Sequence, residues 1–255
     1  MSIEIINKKD QAKGQFNGGE ILENKPIGFP QDGGLKPYSN LFYWAHAWSE
    51  KGSTIGEHPH HGFEIVSFVL KGEIEHYDNM QKKWIGLNEG DVQVIKSGSG
   101  ITHAEKLNSN SAIFQIWFDP DLGKALNITP SYKDYRTKEF PIIKHKSSSE
   151  KIYIGKGSSM SLDTPITSIS EFSFKSGMHL LELPVDSVNS IYNLGATINI
   201  FDEGKKYGFP EHGFALIKNL NKIKFSVEKE AKLFIISSPV KLNYKTYSEM
   251  QQFYK

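Results

Sequence analysis

The sequence predicts an antiparallel all-β protein, built as two β-barrels or sandwiches with few short helices. Three observations carry this: apolar residues recur with the period of strands, turn signals fall between those runs at short intervals, and helical periodicity over ten or more residues is scarce. The clearest strand runs are Glu64–Leu70 (EIVSFVL), Val92–Ile95, Ala112–Phe118 (AIFQIWF) and, far downstream, Lys232–Ser237 (KLFIIS). Lys71-Gly72, Asp78-Asn79, Asn88-Glu89-Gly90 and Ser97-Gly98-Ser99-Gly100 punctuate the first three, a rhythm expected of hairpins. Between Asp119 and Ser149 the pattern lapses into a connector with room for one short helix, which places a domain boundary near residue 140. The expected domains are therefore 1–140 and 141–255. Strand-like runs resume at Ile152, and the tail from Tyr247 to Lys255 reads as a terminal helix.

A chain of 255 residues can bury a substantial core as one large β unit or as two domains. With 38% hydrophobic and 23% charged residues it is globular rather than disordered. Thirty basic residues against 29 acidic ones leave a net charge of +1, so no global field gathers nucleic acid or an anionic membrane. Lys205-Lys206 and Lys222 with Lys224 read as solvated faces. The absence of cysteine excludes disulfides, thiolate ligands and a cysteine nucleophile, and suits a reducing cytosol. The amino terminus lacks a basic-then-apolar leader pattern, and no apolar run reaches the roughly 18 residues that span a bilayer. The expectation is a soluble, cytoplasmic protein.

Histidine placement is the most informative feature, because five of the nine histidines fall between positions 58 and 103. Side chains alternate faces along a strand, so in His58-Pro59-His60 the two imidazoles aim at one face while His61 aims at the other. Pro59 biases His58 toward extended backbone and places the segment at a strand end or edge. His103 and Glu105 repeat the two-residue spacing about forty residues later. A lone strand histidine is more often a hydrogen-bonded structural residue than a ligand, but two matched pairs point to a metal centre. Three neutral imidazoles and a carboxylate suit Fe(II), with Mn, Ni, Cu or Zn as alternatives. A hydrogen-bonded polar network without metal is the competing reading. The aromatic run Phe42-Tyr43-Trp44 with Trp48 is expected in core packing rather than in a substrate wall.

The segments His58–Gly72 (HPHHGFEIVSFVLKG) and Gly90–Glu105 (GDVQVIKSGSGITHAE) resemble the two signature segments of the pirin family, within the cupin superfamily. The resemblance covers about 50 residues at high specificity. It departs from the family pattern at His61, where arginine is usual, and at Leu41–Trp48 (LFYWAHAW), which has no Asp-Pro-Phe. It implies a double cupin with metal confined to the amino-terminal barrel, held by His58, His60, His103 and Glu105, and a carboxyl-terminal barrel without metal. It implies for Glu64 a place beside the ligands or a structural role, rather than ligation. It further implies a quercetin 2,3-dioxygenase, cleaving the flavonol heterocycle with O2 and releasing carbon monoxide, with Glu105 as candidate catalytic base. The alternative it leaves open is an iron-dependent binding or regulatory module acting on a protein partner such as a transcription factor or a metabolic enzyme.

Overall fold

The computed structural model describes residues 2–29 and 31–252. Strand β1 (Ser2–Ile6) is followed by β2 (Ala12–Phe16), β3 (Ile21–Ile27), β4 (Leu41–Ser49), β5 (Ser53–His60), β6 (Glu64–Lys71), β7 (Glu73–Asp78) and β8 (Ile85–Asn88). Next come β9 (Val92–Lys96), β10 (Ile101–Leu107), β11 (Ser111–Phe118), the short helix α1 (Leu122–Ala125) and β12 (Ser131–Tyr135). The remainder holds β13 (Ile142–Lys144), β14 (Ser148–Ile154), β15 (Ser168–Phe174), β16 (Gly177–Glu182), β17 (Ser187–Asn193) and β18 (Ile198–Asp202). It closes with β19 (Lys205–Phe209), β20 (Phe214–Lys218), β21 (Lys222–Val227), β22 (Ala231–Pro239) and helix α2 (Tyr247–Gln252). The last three positions of the tail expected to be helical lie outside the described residues. Among the described residues no helix is long and apolar enough to cross a membrane.

Two compact units emerge, each with one seven-stranded and one four-stranded antiparallel sheet. The first comprises Gln11–Thr137 with Leu242–Lys255, and the second Lys138–Lys241 with Met1–Asp10. The division falls after Thr137, and both chain ends cross over it. β1 completes the second unit's larger sheet by pairing with β20, from Ser2↔Lys218 to Ile6↔Phe214. The tail joins the first unit because Asp119 receives it: the Tyr244 hydroxyl donates to the Asp119 carbonyl at 2.7 Å and the Tyr247 amide to its carboxylate at 2.6 Å. Thr246 and Glu249 cap α2 reciprocally, with amide-to-side-chain bonds of 2.8 and 3.3 Å. Such long-range pairings leave no periodic trace in a local window.

In the first unit the larger sheet runs β12-β9-β6-β11-β4-β3-β2 and the smaller β5-β10-β7-β8. Their facing sides bury Ile21, Ala47, Val69 and Ile113 against Ile74, Leu87 and Leu107. Alternation along β11 then carries one inward row from Ile113 in this core to Gln115 and Trp117, and along β10 from Leu107 to Glu105 and His103. The interior thus changes from apolar to functional along single strands. In the second unit the same arrangement packs Ile191, Ala215, Ile217, Leu233 and Ile235 against Leu181, Ile198, Ile200, Ile223 and Phe225.

Candidate metal centre

β5 and β10 pair antiparallel so that His103 lies directly across from His58 and Ile101 from His60. Cross-strand neighbours on one face stand about 4.5–5.5 Å apart at Cβ, so two strands suffice to gather three imidazoles. The ring centroids of His58, His60 and His103 are 4.4–4.8 Å from one another. One ligand atom from each falls within 4.8 Å of the others. Glu105 is not in that group. The β5–β10 register shifts between His103 and Glu105, which brings Glu105 opposite Ile55. Its carboxylate is instead clamped by Gln115, whose Nε2 donates at 2.6 Å, with the Ser67 hydroxyl at 3.4 Å.

Electrostatics keep His60 and His103 neutral. Burial, reinforced by His103, His58 and His61, pushes His60 down to about 3, and burial with His58 and His76 pushes His103 down to about 2. His58 donates from Nδ1 to the Gly56 carbonyl at 2.8 Å; since a carbonyl only accepts, the proton is fixed on Nδ1 and the Nε2 lone pair is free. Nε2 of His60 and both ring nitrogens of His103 are buried without a hydrogen-bond partner among the described residues. Unpaired buried nitrogens carry a desolvation cost, and one nitrogen from each of the three histidines gathered within 4.8 Å fits a metal ion with imidazole preference. The residues present therefore suit a first-row divalent cation.

Surrounding groups escaped the sequence reading. His76 is fully buried, its Nε2 is 3.0 Å from Asp78, and its ring stacks on Tyr132 at 4.8 Å. Across the ladder His76 opposes Glu105 and Asp78 opposes His103, which puts this pair directly behind the cluster. Asp78 also accepts the amides of Met80 and Gln81 at 2.8 and 2.7 Å. The His-x-Asp spacing was the available signal. Gln115, a polar residue inside an apolar strand, was another; it accepts from Trp117 Nε1 at 3.1 Å while holding Glu105, and the Trp117 ring meets His60 edge-on at 4.7 Å.

Glu64 has a structural setting. It is buried and pairs with Lys96 at 3.6 Å, on the face of β6 opposite Ser67, where Tyr244 feels its charge. The turn at His61-Gly62 interrupts the strand, so alternation cannot be carried from His60 to Glu64. His61 is exposed, its ring lying over Gly100, outside the cluster.

His58 and His60 border a cavity of about 310 Å³ that Glu105, Gln115, Trp117, Phe29, Tyr43 and Glu23 also line. Its walls are aromatic: Phe29 stacks on Tyr43 at 4.8 Å and meets Trp117 edge-on at 5.4 Å. Tyr43 thus faces the cavity, a correction to the expectation that the Phe42–Trp44 run serves packing alone; neighbouring strand positions face opposite ways, and Trp44 is wholly buried. Tyr247 of α2 backs this wall through Phe42 and Phe63 at 5.7 and 5.6 Å.

Paired seven- and four-stranded antiparallel units, one with a histidine cluster at the end of its core, define an all-β double-cupin protein. Residues 37–118 match the family model Pirin. The segment is 37% identical over 90 residues to the quercetin 2,3-dioxygenase of Escherichia coli K12, covering 34% of this chain and 37% of that protein. It is 43% identical over 86 residues to a pirin-like protein of Caulobacter vibrioides, covering 33% of this chain and 34% of that one. The chain thus spans little more than a third of these relatives. A bacterial pirin of Escherichia coli in complex with nickel(II) superposes with a TM-score of 0.75 at 18% identity, over 93% of this chain and 99% of that one. Residues 37–118 are thus pirin-like within an all-β double-cupin fold, and that likeness implies a metal site.

Proposed function

We propose that this chain is a metal-dependent quercetin 2,3-dioxygenase, whose metal is held in the first unit by His58, His60, His103 and Glu105, while the second unit carries none. The observation that supports it is the cluster of three imidazoles, partly orphaned, of which His58 and His60 line an aromatic-walled cavity of about 310 Å³. Fe(II) suits the donor set best, and the cysteine-free composition suits a cytoplasmic setting. When bound, the cation supplies Lewis-acid polarisation and a redox-active centre.

The protein's own groups have defined tasks. Phe29, Tyr43 and Trp117 hold flat rings and exclude water. Glu105 is the base that accepts the flavonol hydroxyl proton, and Gln115 orients it through the 2.6 Å bond that Trp117 braces. Glu105 can offer Oε1 to the metal while Gln115 holds Oε2, so Gln115 orients the carboxylate for both roles.

Metal-loaded protein incubated with quercetin under O2 tests the proposal. Flavonol loss matched by carbon monoxide supports it. Stoichiometric metal without turnover by any of Fe, Mn, Ni, Cu or Zn overturns it in favour of a binding module.

A further inference from the structure

A second carboxylate in the cavity is unaccounted for by metal or base. Glu23, on β3, is only 7% exposed and lines the cavity together with His58 and His60. Buried carboxylates are ordinarily paired with a cation. Lys25, the nearest one on the same strand, is instead bonded to Asp32 at 2.6 Å. Asp32 in turn accepts the Phe29 amide at 3.1 Å, so this ion pair shapes the cavity rim, while the Lys25 Nζ also borders the Gly14 niche that holds Glu23.

Among the described residues, the Tyr43 hydroxyl is the hydrogen-bond donor to Glu23, at 3.2 Å to Oε1. The other oxygen, Oε2, sits over Gly14, the residue paired with Glu23 across the β2–β3 ladder. A Cβ at Gly14 would approach that oxygen to 2.2 Å, so the glycine leaves a niche that fixes the carboxyl. A carboxyl has about four acceptor sites. One tyrosine leaves acceptor capacity unused in a cavity otherwise walled on this side by aromatic and aliphatic groups. Burial raises the Glu23 carboxyl above its ordinary range against the opposing pull of Lys25 and Tyr43, consistent with a group that gains by meeting a polar ligand atom.

We propose that Glu23, held by Tyr43 and the Gly14 niche, is a specificity-determining residue that hydrogen-bonds a hydroxyl on the ring of a planar aromatic ligand remote from the metal cluster. This rests on the aromatic-substrate reading above and adds which aromatics are selected: those with a phenolic hydroxyl on the distal ring. Aromatic walls accept any flat ring, and a site built to hydrogen-bond a hydroxyl rejects the analogue lacking it, because its buried acceptor is then left unpaired.

The test compares quercetin, which has distal-ring hydroxyls, with 3-hydroxyflavone, which has none. Dissociation constants are read by tryptophan fluorescence quenching on metal-loaded wild type, Glu23→Leu and the near-isosteric Glu23→Gln, with metal per chain and turnover measured in parallel. Wild type is expected to prefer quercetin by about tenfold or more, the scale of one hydrogen bond to a buried charged partner. Glu23→Leu should erase the preference with metal content unchanged, and Glu23→Gln should retain part of it. Should the leucine variant fail to fold, an undiminished preference in Glu23→Gln together with Tyr43→Phe overturns the proposal. Equal binding of both flavonols by wild type, or binding of neither, also overturns it. Turnover of both compounds at equal affinity would sink Glu23 and spare the dioxygenase; a Glu23-dependent preference without turnover would do the reverse.

Discussion

His103→Leu separates a metal ligand from a structural histidine. His103 is 0% exposed, and both its ring nitrogens lack a hydrogen-bond partner among the described residues. An unsatisfied buried polar group costs about 1–3 kcal/mol. Leucine is similar in volume, and a shape change of that kind costs less than about 1.5 kcal/mol. Without metal, the variant should therefore match or exceed wild type, by up to about 2 kcal/mol. At 2–4 °C per kcal/mol for a chain of this size, the midpoint rises by at most about 8 °C. With metal the order reverses: at a hundredfold excess over its dissociation constant a ligand stabilises wild type by about 2.7 kcal/mol, and a site missing one imidazole should lose most of that. Thermal denaturation in chelator and in excess Fe(II) or Ni(II) measures both arms. A metal-free variant destabilised by about 3 kcal/mol or more, the range for breaking a satisfied buried network, would refute the reasoning, as would equal metal-induced shifts in both proteins.

Further outcomes are expected. Asp119 is pushed up to about 7 by burial, and its Oδ1 has no hydrogen-bond partner among the described residues. Its folded pKa lies above the unfolded value of 3.8, so this contribution is fully present below about pH 4 and is lost as pH rises through 7. Asp119→Asn should match wild type at pH 4, exceed it at pH 8 by up to about 4 kcal/mol, and flatten the stability–pH curve measured by denaturant titration. Gln115→Leu leaves Glu105 with the 3.4 Å contact to Ser67 and should weaken metal affinity about 10- to 100-fold, read by competition with a chelating dye. Gly98 has φ +52°, and a Cβ there would lie 2.3 Å from the Ile128 carbonyl oxygen, so Gly98→Ala should cost at least about 2 kcal/mol in chemical denaturation.

By itself the sequence determined what depends on neighbours along one strand. Alternation set His58 with His60 and gave the strand runs at β6, β9, β11 and β22, because side-chain direction within a strand follows from local backbone geometry. The pirin-like segments were legible for the same reason: they are contiguous. Tertiary structure decided which faces meet. The bulged β5–β10 register put Glu105 beside Gln115 rather than within the imidazole group, the turn at His61-Gly62 sent Glu64 to the opposite face, and the ladders with β7 set His76 and Asp78 behind His103. Glu23 reached the cavity only through a strand that the sequence did not single out, and the exchanged termini only through pairings more than a hundred residues apart. Register and closure are set by the sum of many cross-strand contacts, and no window of consecutive residues contains that sum.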